Sequence, residues 1–200
     1  MRWRFSGHAS VLAVCMLLPA APLAAQNLVQ NPGFASDLSS WFAFMAFDLT
    51  ETWTSVDANG DAQSGSIQGT LPASGTFRIP IYASQCVAVL PATAYMFGAK
   101  VLLPSATTPG NSFATIFVNT YEQAGCAGNP SQNIVAPNVT TLDAWTQTSS
   151  TVTTGAAEVS IQIDLRVRAD DNTTLISYFD DVYLMPAATT PVRLQSFEVE

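Results

Sequence analysis

Residues 27–41 read NLVQNPGFASDLSSW, and about 140 residues downstream residues 178–184 read YFDDVYL. The first stretch is a turn signal, Asn31-Pro32-Gly33, with the aromatic Phe34 directly after it and Trp41 closing the segment. The second is an aromatic and β-branched run that carries two adjacent acids, Asp180 and Asp181. Between them the apolar residues recur with period two. In 158–168, Val159, Ile161, Ile163, Leu165 and Val167 share one face, and Ser160, Gln162, Asp164, Arg166 and Arg168 share the other. Tyr95, Phe97, Ala99 and Val101 form a second apolar face opposite Met96 and Lys100. Further strands are expected at 111–122 and 176–185, and shorter ones at 28–30, 47–56, 65–70, 84–89 and 145–153. Turn clusters at 57–61, 108–111 and 169–174 separate them. About nine antiparallel strands without a helical pattern predict an all-β chain, a β-sandwich or jelly roll of one domain.

The ends read differently. Residues 1–25 have the form of a signal peptide, with Arg2 and Arg4 ahead of a short apolar run at 11–18 and Ala24-Ala25 before Gln26. That run is too short to span a bilayer, and Cys15 lies inside it after the bulky Val14, which does not favour lipidation. The expected product is secreted, periplasmic or extracellular, with a domain at 26–186 and a linker or tail at 187–200 that begins Ala-Ala-Thr-Thr-Pro. Cleavage takes basic residues from 7 to 5 while all 15 acids remain, so the net charge moves from −8 to −10. Such a balance argues against nucleic acid and anionic membrane surfaces as partners. Cleavage also removes His8, the one histidine, and with it Ser-His-Asp and Cys-His catalysis and the commonest transition-metal ligand. Carboxylates remain for chemistry, and their oxygens suit calcium. Two cysteines survive, Cys86 and Cys126, an even count that reads as a disulfide in an exported chain.

These residues, taken in order, resemble the carbohydrate-binding modules of families 4, 9 and 22, which are galactose-binding-like jelly rolls. The likeness runs through Asn27, Asn31-Pro32-Gly33-Phe34 and Trp41, then Ser64-Gly65-Ser66, Ser84-Gln85-Cys86-Val87, Pro91 and Tyr95-x-Phe97, and ends on Cys126, Trp145-Thr146 and Phe179-Asp180-Asp181-Val182. It implies binding without catalysis, and it implies that Trp41 and Trp145 are structural. It also implies a structural calcium between the N-terminal segment and the Asp180-Asp181 strand, with Asp180 and Asp181 as candidate ligands. Unbroken alternation places Asp180 on the side of Val182 and Leu184, which makes it the inward ligand. The family motif has a Glu after the Phe, and here that position is Ala35; Asp37 is the nearest acid that could replace it. Asp57-x-Asn59-x-Asp61 has ligand-like spacing but lacks the rest of a calcium loop and reads as a polar turn.

A sugar site combines flat aromatic rings with amides, carboxylates and Arg. With Ile116 and Val118 facing the core, Phe117, Asn119 and Tyr121 face outward, and Gln162, Asp164 and Arg166 of the neighbouring pattern line the same face. Trp53 and Tyr82 are further ligand-binding candidates in polar or irregular surroundings. The leading expectation is an exported, non-catalytic carbohydrate-binding module for a polysaccharide or cell-surface glycan. The alternatives are a cell-surface or extracellular interaction domain without sugar binding, and a carboxylate-only glycoside hydrolase using Asp164 with Asp180 or Glu122.

Overall fold

The computed structural model describes residues 26–43, 48–74, 79–108, 110–169 and 173–187; the expected signal peptide and residues 188–200 of the expected tail lie outside them. Among the described residues there are ten strands: β1 (Phe42–Ala43), β2 (Thr50–Thr54), β3 (Ser66–Leu71), β4 (Ile81–Ala88), β5 (Ala94–Leu102), β6 (Phe113–Tyr121), β7 (Gln132–Val135), β8 (Thr146–Thr153), β9 (Ser160–Arg168) and β10 (Leu175–Pro186). They form two five-stranded antiparallel sheets, ordered β1-β4-β9-β6-β7 and β2-β3-β10-β5-β8. The chain changes sheet at every connection except β2–β3 and β6–β7, the winding of a jelly roll.

The alternation expected in β5 and β9 is what packs the sandwich. Ile161, Ile163, Leu165 and Val167 of β9, with Ile116 and Val118 of β6, meet Tyr95, Phe97, Ala99 and Val101 of β5 and Phe179, Val182 and Leu184 of β10 in one buried cluster. Each such side chain contributes roughly 1.5–3 kcal/mol by leaving water. Trp41 is also buried, its ring 5.5 Å from that of Phe34 and its Nε1 donating to the Asn31 carbonyl at 3.2 Å.

Four expectations need correction. Residues 28–30 are not a strand: the Leu28 amide bonds the Leu184 carbonyl, but at Gln30 the partner is the Gln85 side chain, which accepts the Gln30 N–H at 2.8 Å and donates to its carbonyl at 2.9 Å. Tyr82 is not on a binding surface. A register shift between Ile81 and Ala83 turns its ring into the core, fully buried and edge-on to Phe179. Trp145 is half-buried outside the core cluster, edge-on to Tyr178 at 6.5 Å. Finally, alternation breaks in β10 between Asp180 and Tyr183, with Asp181 at φ 48°. Phe179 pairs with Val101 and Asp180 with Lys100 before Leu184 resumes opposite Phe97, so Asp180 does not share the side of Val182 and Leu184. The short edge strand β7 and the two-residue β1 carry too little alternation to be seen in sequence.

Cys86 and Cys126 form the expected disulfide across 40 residues, with Cα atoms 5.9 Å apart. Replacing both by Ser should lower unfolding free energy by about 4 kcal/mol in a urea titration on the chain-entropy account; an unchanged midpoint would mean that this loop is held by its other contacts. A β-carbon on Gly69 would lie 2.1 Å from the Tyr82 ring. Gly69→Ala should therefore cost about 1–3 kcal/mol through overpacking, measured in the same titration.

Candidate functional site

The outer face of the first sheet collects the polar and aromatic residues that β6 and β9 turn away from the core. Cross-strand pairing sets them in rows. Phe42 of β1 stands beside Ser84 of β4, which pairs with Asp164 of β9, then Phe117 of β6, then Val135 of β7. The next row is Cys86, Gln162, Asn119 and Asn133, and beyond Asp164 on the other side Arg166 pairs with Thr115 and Arg168 with Phe113. Five strands at about 4.8 Å spacing make a floor roughly 19 Å across. Phe42, 70 % exposed, and Val135, 49 % exposed, stand at its two edges.

The centre of that floor is one hydrogen-bonded network. Asp164 is fully buried, and its carboxylate accepts from Gln162 Nε2 at 2.7 Å, from Arg166 Nη2 at 3.0 Å and from Asn119 Nδ2 at 3.3 Å. Three donors, one of them charged, offset the cost of removing the carboxylate from water. Asn133 Nδ2 donates to Asn119 Oδ1, and the Tyr121 hydroxyl donates to Gln162 Oε1 at 3.3 Å. The Arg166 guanidinium lies 3.6 Å over the Phe117 ring. Burial, reinforced by the Asp164 charge, pushes the Tyr121 phenol above its ordinary pKa. Tyr121 is itself buried, so the open ring expected of it on this face is not offered.

At the Tyr121 end the floor meets the 3-10 turn Ala124–Cys126, which the disulfide ties to β4. Ser160 Oγ accepts the Cys126 N–H and donates to the Gln123 carbonyl at 2.6 Å. Thus Phe117, Asn119, Tyr121, Gln162 and Arg166 come together as expected. Trp53 and Tyr82 do not join them. Trp53 pairs with Ile67 in the other sheet, where its Nε1 donates to the Phe34 carbonyl at 2.7 Å and its ring covers Gly65. Phe42, Asn133, Phe113 and Arg168 were missed; for Phe113 and Arg168 the alternation already carried the signal, whereas Phe42 and Asn133 sit on strands with none.

The acidic pair lies on the second sheet. Asp180 is fully buried beneath the β2–β3 connection, accepting the Ala58 N–H at 2.9 Å and the Asp181 N–H at 2.7 Å. Burial pushes its pKa up to about 6 against these two donors, and the neighbouring Asp181 and Asp57 charges add to the rise. Asp181 is half-exposed and pairs with Lys100 Nζ at 2.9 Å and with Asn59 Nδ2 at 2.9 Å. The connection is the polar turn that its spacing suggested, with Asp57 Oδ1 accepting the N–H groups of Asn59 and Asp61. Asp37 does not replace the missing Glu, because it caps its own turn through the Ser39 N–H and Asn31.

Among the described residues no three His, Cys, Asp or Glu side chains gather closely enough to hold a metal. The chemistry that a hard cation needs is nonetheless present at Gly33. There Asp180 Oδ1, Ser64 Oγ and Asp181 Oδ1 all lie 3.8–3.9 Å from where a β-carbon would stand, an all-oxygen cradle beside a buried carboxylate that has no cation bonded to it. Asp164 and Asp180 stand in different sheets, so that acid pair is not assembled, and Asp164 is enclosed by its three donors.

No family model matches the chain, and no curated protein matches it. Solved structures do. A family 16 carbohydrate-binding module superposes with a TM-score of 0.53 at 20% identity, covering 79% of this chain and 99% of its own. The CBM22-1 xylan-binding domain of Paenibacillus barcinonensis Xyn10C gives 0.53 at 11%, covering 84% and 98%. The fold is the jelly roll of these carbohydrate-binding modules. The enzymatically active domain of tailspike protein 4 of bacteriophage CBA120 gives a TM-score of 0.62 at 14% identity, but the 80% of this chain that matches corresponds to only 21% of that one. Both of these carbohydrate-binding modules are matched over nearly their whole length.

The raised pKa of Asp180 has a sign. Without a bound cation the folded protein holds this proton to a higher pH than the unfolded chain, so the contribution of Asp180 to stability falls as pH rises from about 4 to about 6 and is flat above. Asp180→Asn should remove that slope, which melting curves in chelator between pH 4 and pH 7 would record; an equal slope in both proteins would place the titration elsewhere.

Proposed function

We propose that the chain is an exported, non-catalytic module that binds a polysaccharide or cell-surface glycan on the outer face of the first sheet. The observation that carries this reading is the network of Asn133, Asn119, Asp164, Gln162 and Arg166, flanked by Phe42 and Phe117. Its amides are held in fixed orientation before any ligand arrives, so little side-chain entropy is lost on binding. Aromatic rings for the apolar faces of sugar and amides for hydroxyls are the two things that carbohydrate recognition needs. Export is supported by the disulfide, which persists in oxidising compartments.

A calcium ion held by Asp180, with Asp181, Ser64 and backbone carbonyls near Gly33, is a further part of this reading. It would neutralise the buried carboxylate and tie the N-terminal segment to β10. In that case calcium raises the melting temperature and chelator lowers it.

Retention on immobilised plant and bacterial polysaccharides tests the function. The wild-type domain should be retained on at least one. Phe42→Ala, a change at an exposed edge, should weaken retention by about tenfold, the equivalent of roughly 1.4 kcal/mol, without moving the melting temperature. Retention on none of them would end the proposal.

A further inference from the structure

We infer that the glycan taken by this face is acidic, with its carboxylate or sulfate received by Arg166 and Arg168; the inference rests on the binding reading above. The donor and acceptor balance of the face points that way. Its rows hold Ser84, Gln162, Asn119, Asn133, Thr115, Arg166 and Arg168, and the one acid among them is Asp164. Asp164 is fully buried and already accepts three hydrogen bonds. The face therefore offers a ligand no open carboxylate, and the charged side chains it does offer are the two arginines.

Charge distribution agrees. The chain left after signal-peptide cleavage has 5 basic residues against 15 acids. Two of those five, Arg166 and Arg168, stand two positions apart on β9 and so share this face, about 7 Å apart along the strand. Asp57, Asp180 and Asp181 lie together at the second sheet, where the one lysine of the described residues, Lys100, meets them. Among the described residues the face thus carries two arginines against one enclosed carboxylate, in an otherwise acidic protein.

Arg166 is also prepared for the task. Its Nη2 is tied to Asp164 and its plane rests on Phe117 at 3.6 Å, while its side chain stays 23% exposed. A guanidinium held flat at a surface presents its remaining edge to a carboxylate with its rotamer already chosen. The Arg168 guanidinium lies 5.6 Å from the centre of the Phe113 ring.

Calorimetric titration with oligogalacturonate and with a neutral xylo-oligosaccharide of equal length tests this. The acidic oligomer should bind about tenfold tighter at low salt, and that preference should shrink towards physiological ionic strength. Arg168→Gln should remove most of it while leaving the melting temperature unchanged. The double variant Asp164→Asn with Arg166→Gln, which leaves no unpaired buried charge, should remove the rest. If the neutral oligomer binds as well as the acidic one and neither variant changes the ratio, the acidic assignment falls while the binding function stands. If neither oligomer nor any immobilised polysaccharide is retained, both fall.

Discussion

The structure depends on a clasp between the two ends of the domain. Asn27 donates from its amide to the Val182 carbonyl at 2.9 Å and accepts the Leu184 N–H at 3.1 Å, while the Val182 N–H bonds the Pro32 carbonyl at 2.8 Å. These partners are about 155 residues apart in sequence. The bulge in β10 keeps Val182 and Leu184 in the core on either side of this clasp, with Phe34 and Trp41 stacked alongside. Further bonds fasten the segment laterally, from Trp53 to the Phe34 carbonyl and from Ser64 to the Gly33 carbonyl. Loop closure over such a distance is slow and costs entropy, and the clasp is one place where that cost is offset.

The outer face of the first sheet is possible because the clasp and the core hold the sandwich from the other side. A carboxylate as buried as Asp164 is tolerated only where donors surround it, and here three do, one of them charged. Gln162 and Arg166 flank Asp164 on β9 itself, whereas Asn119 comes from β6, so its bond requires the β6–β9 register to be held without slip, since a shift of one residue would send Asn119 to the core. The apolar inner faces of the same strands, Ile116 and Val118 against Ile161, Ile163 and Leu165, hold that register. The polar outer face and the core are therefore two consequences of one strand pairing.

How much could be read in advance follows from the same physics. Strands with both faces committed, β5, β6, β9 and most of β10, show their period in the sequence, and so did the grouping of Phe117, Asn119, Gln162 and Arg166. Tyr82 was misplaced because a register shift at Ile81 reverses the face on which it lies, and a shift of this kind leaves no mark on residue type. Asp180 is the buried member of the acidic pair, as expected, but a bulge at Asp181 breaks the alternation from which that was argued, and the β2–β3 connection covers it instead. Phe42 sits on a two-residue strand too short to alternate. Trp145 has the composition of a core residue and the position of a surface one, since the neighbour that half-covers it, Tyr178, belongs to a distant strand.

By itself the sequence determined the all-β class, the pairing of Cys86 with Cys126 and the two apolar faces that meet in the core. Each of these follows from local periodicity or from a count, and neither needs three-dimensional information. The tertiary structure alone decided which polar residues share a surface, that Asp164 is enclosed by three donors while Asp180 is covered by a distant turn, and that Trp53 braces the N-terminal segment. Those outcomes depend on register, on bulges and on which strands become neighbours, properties of the assembled sheet that no single strand contains.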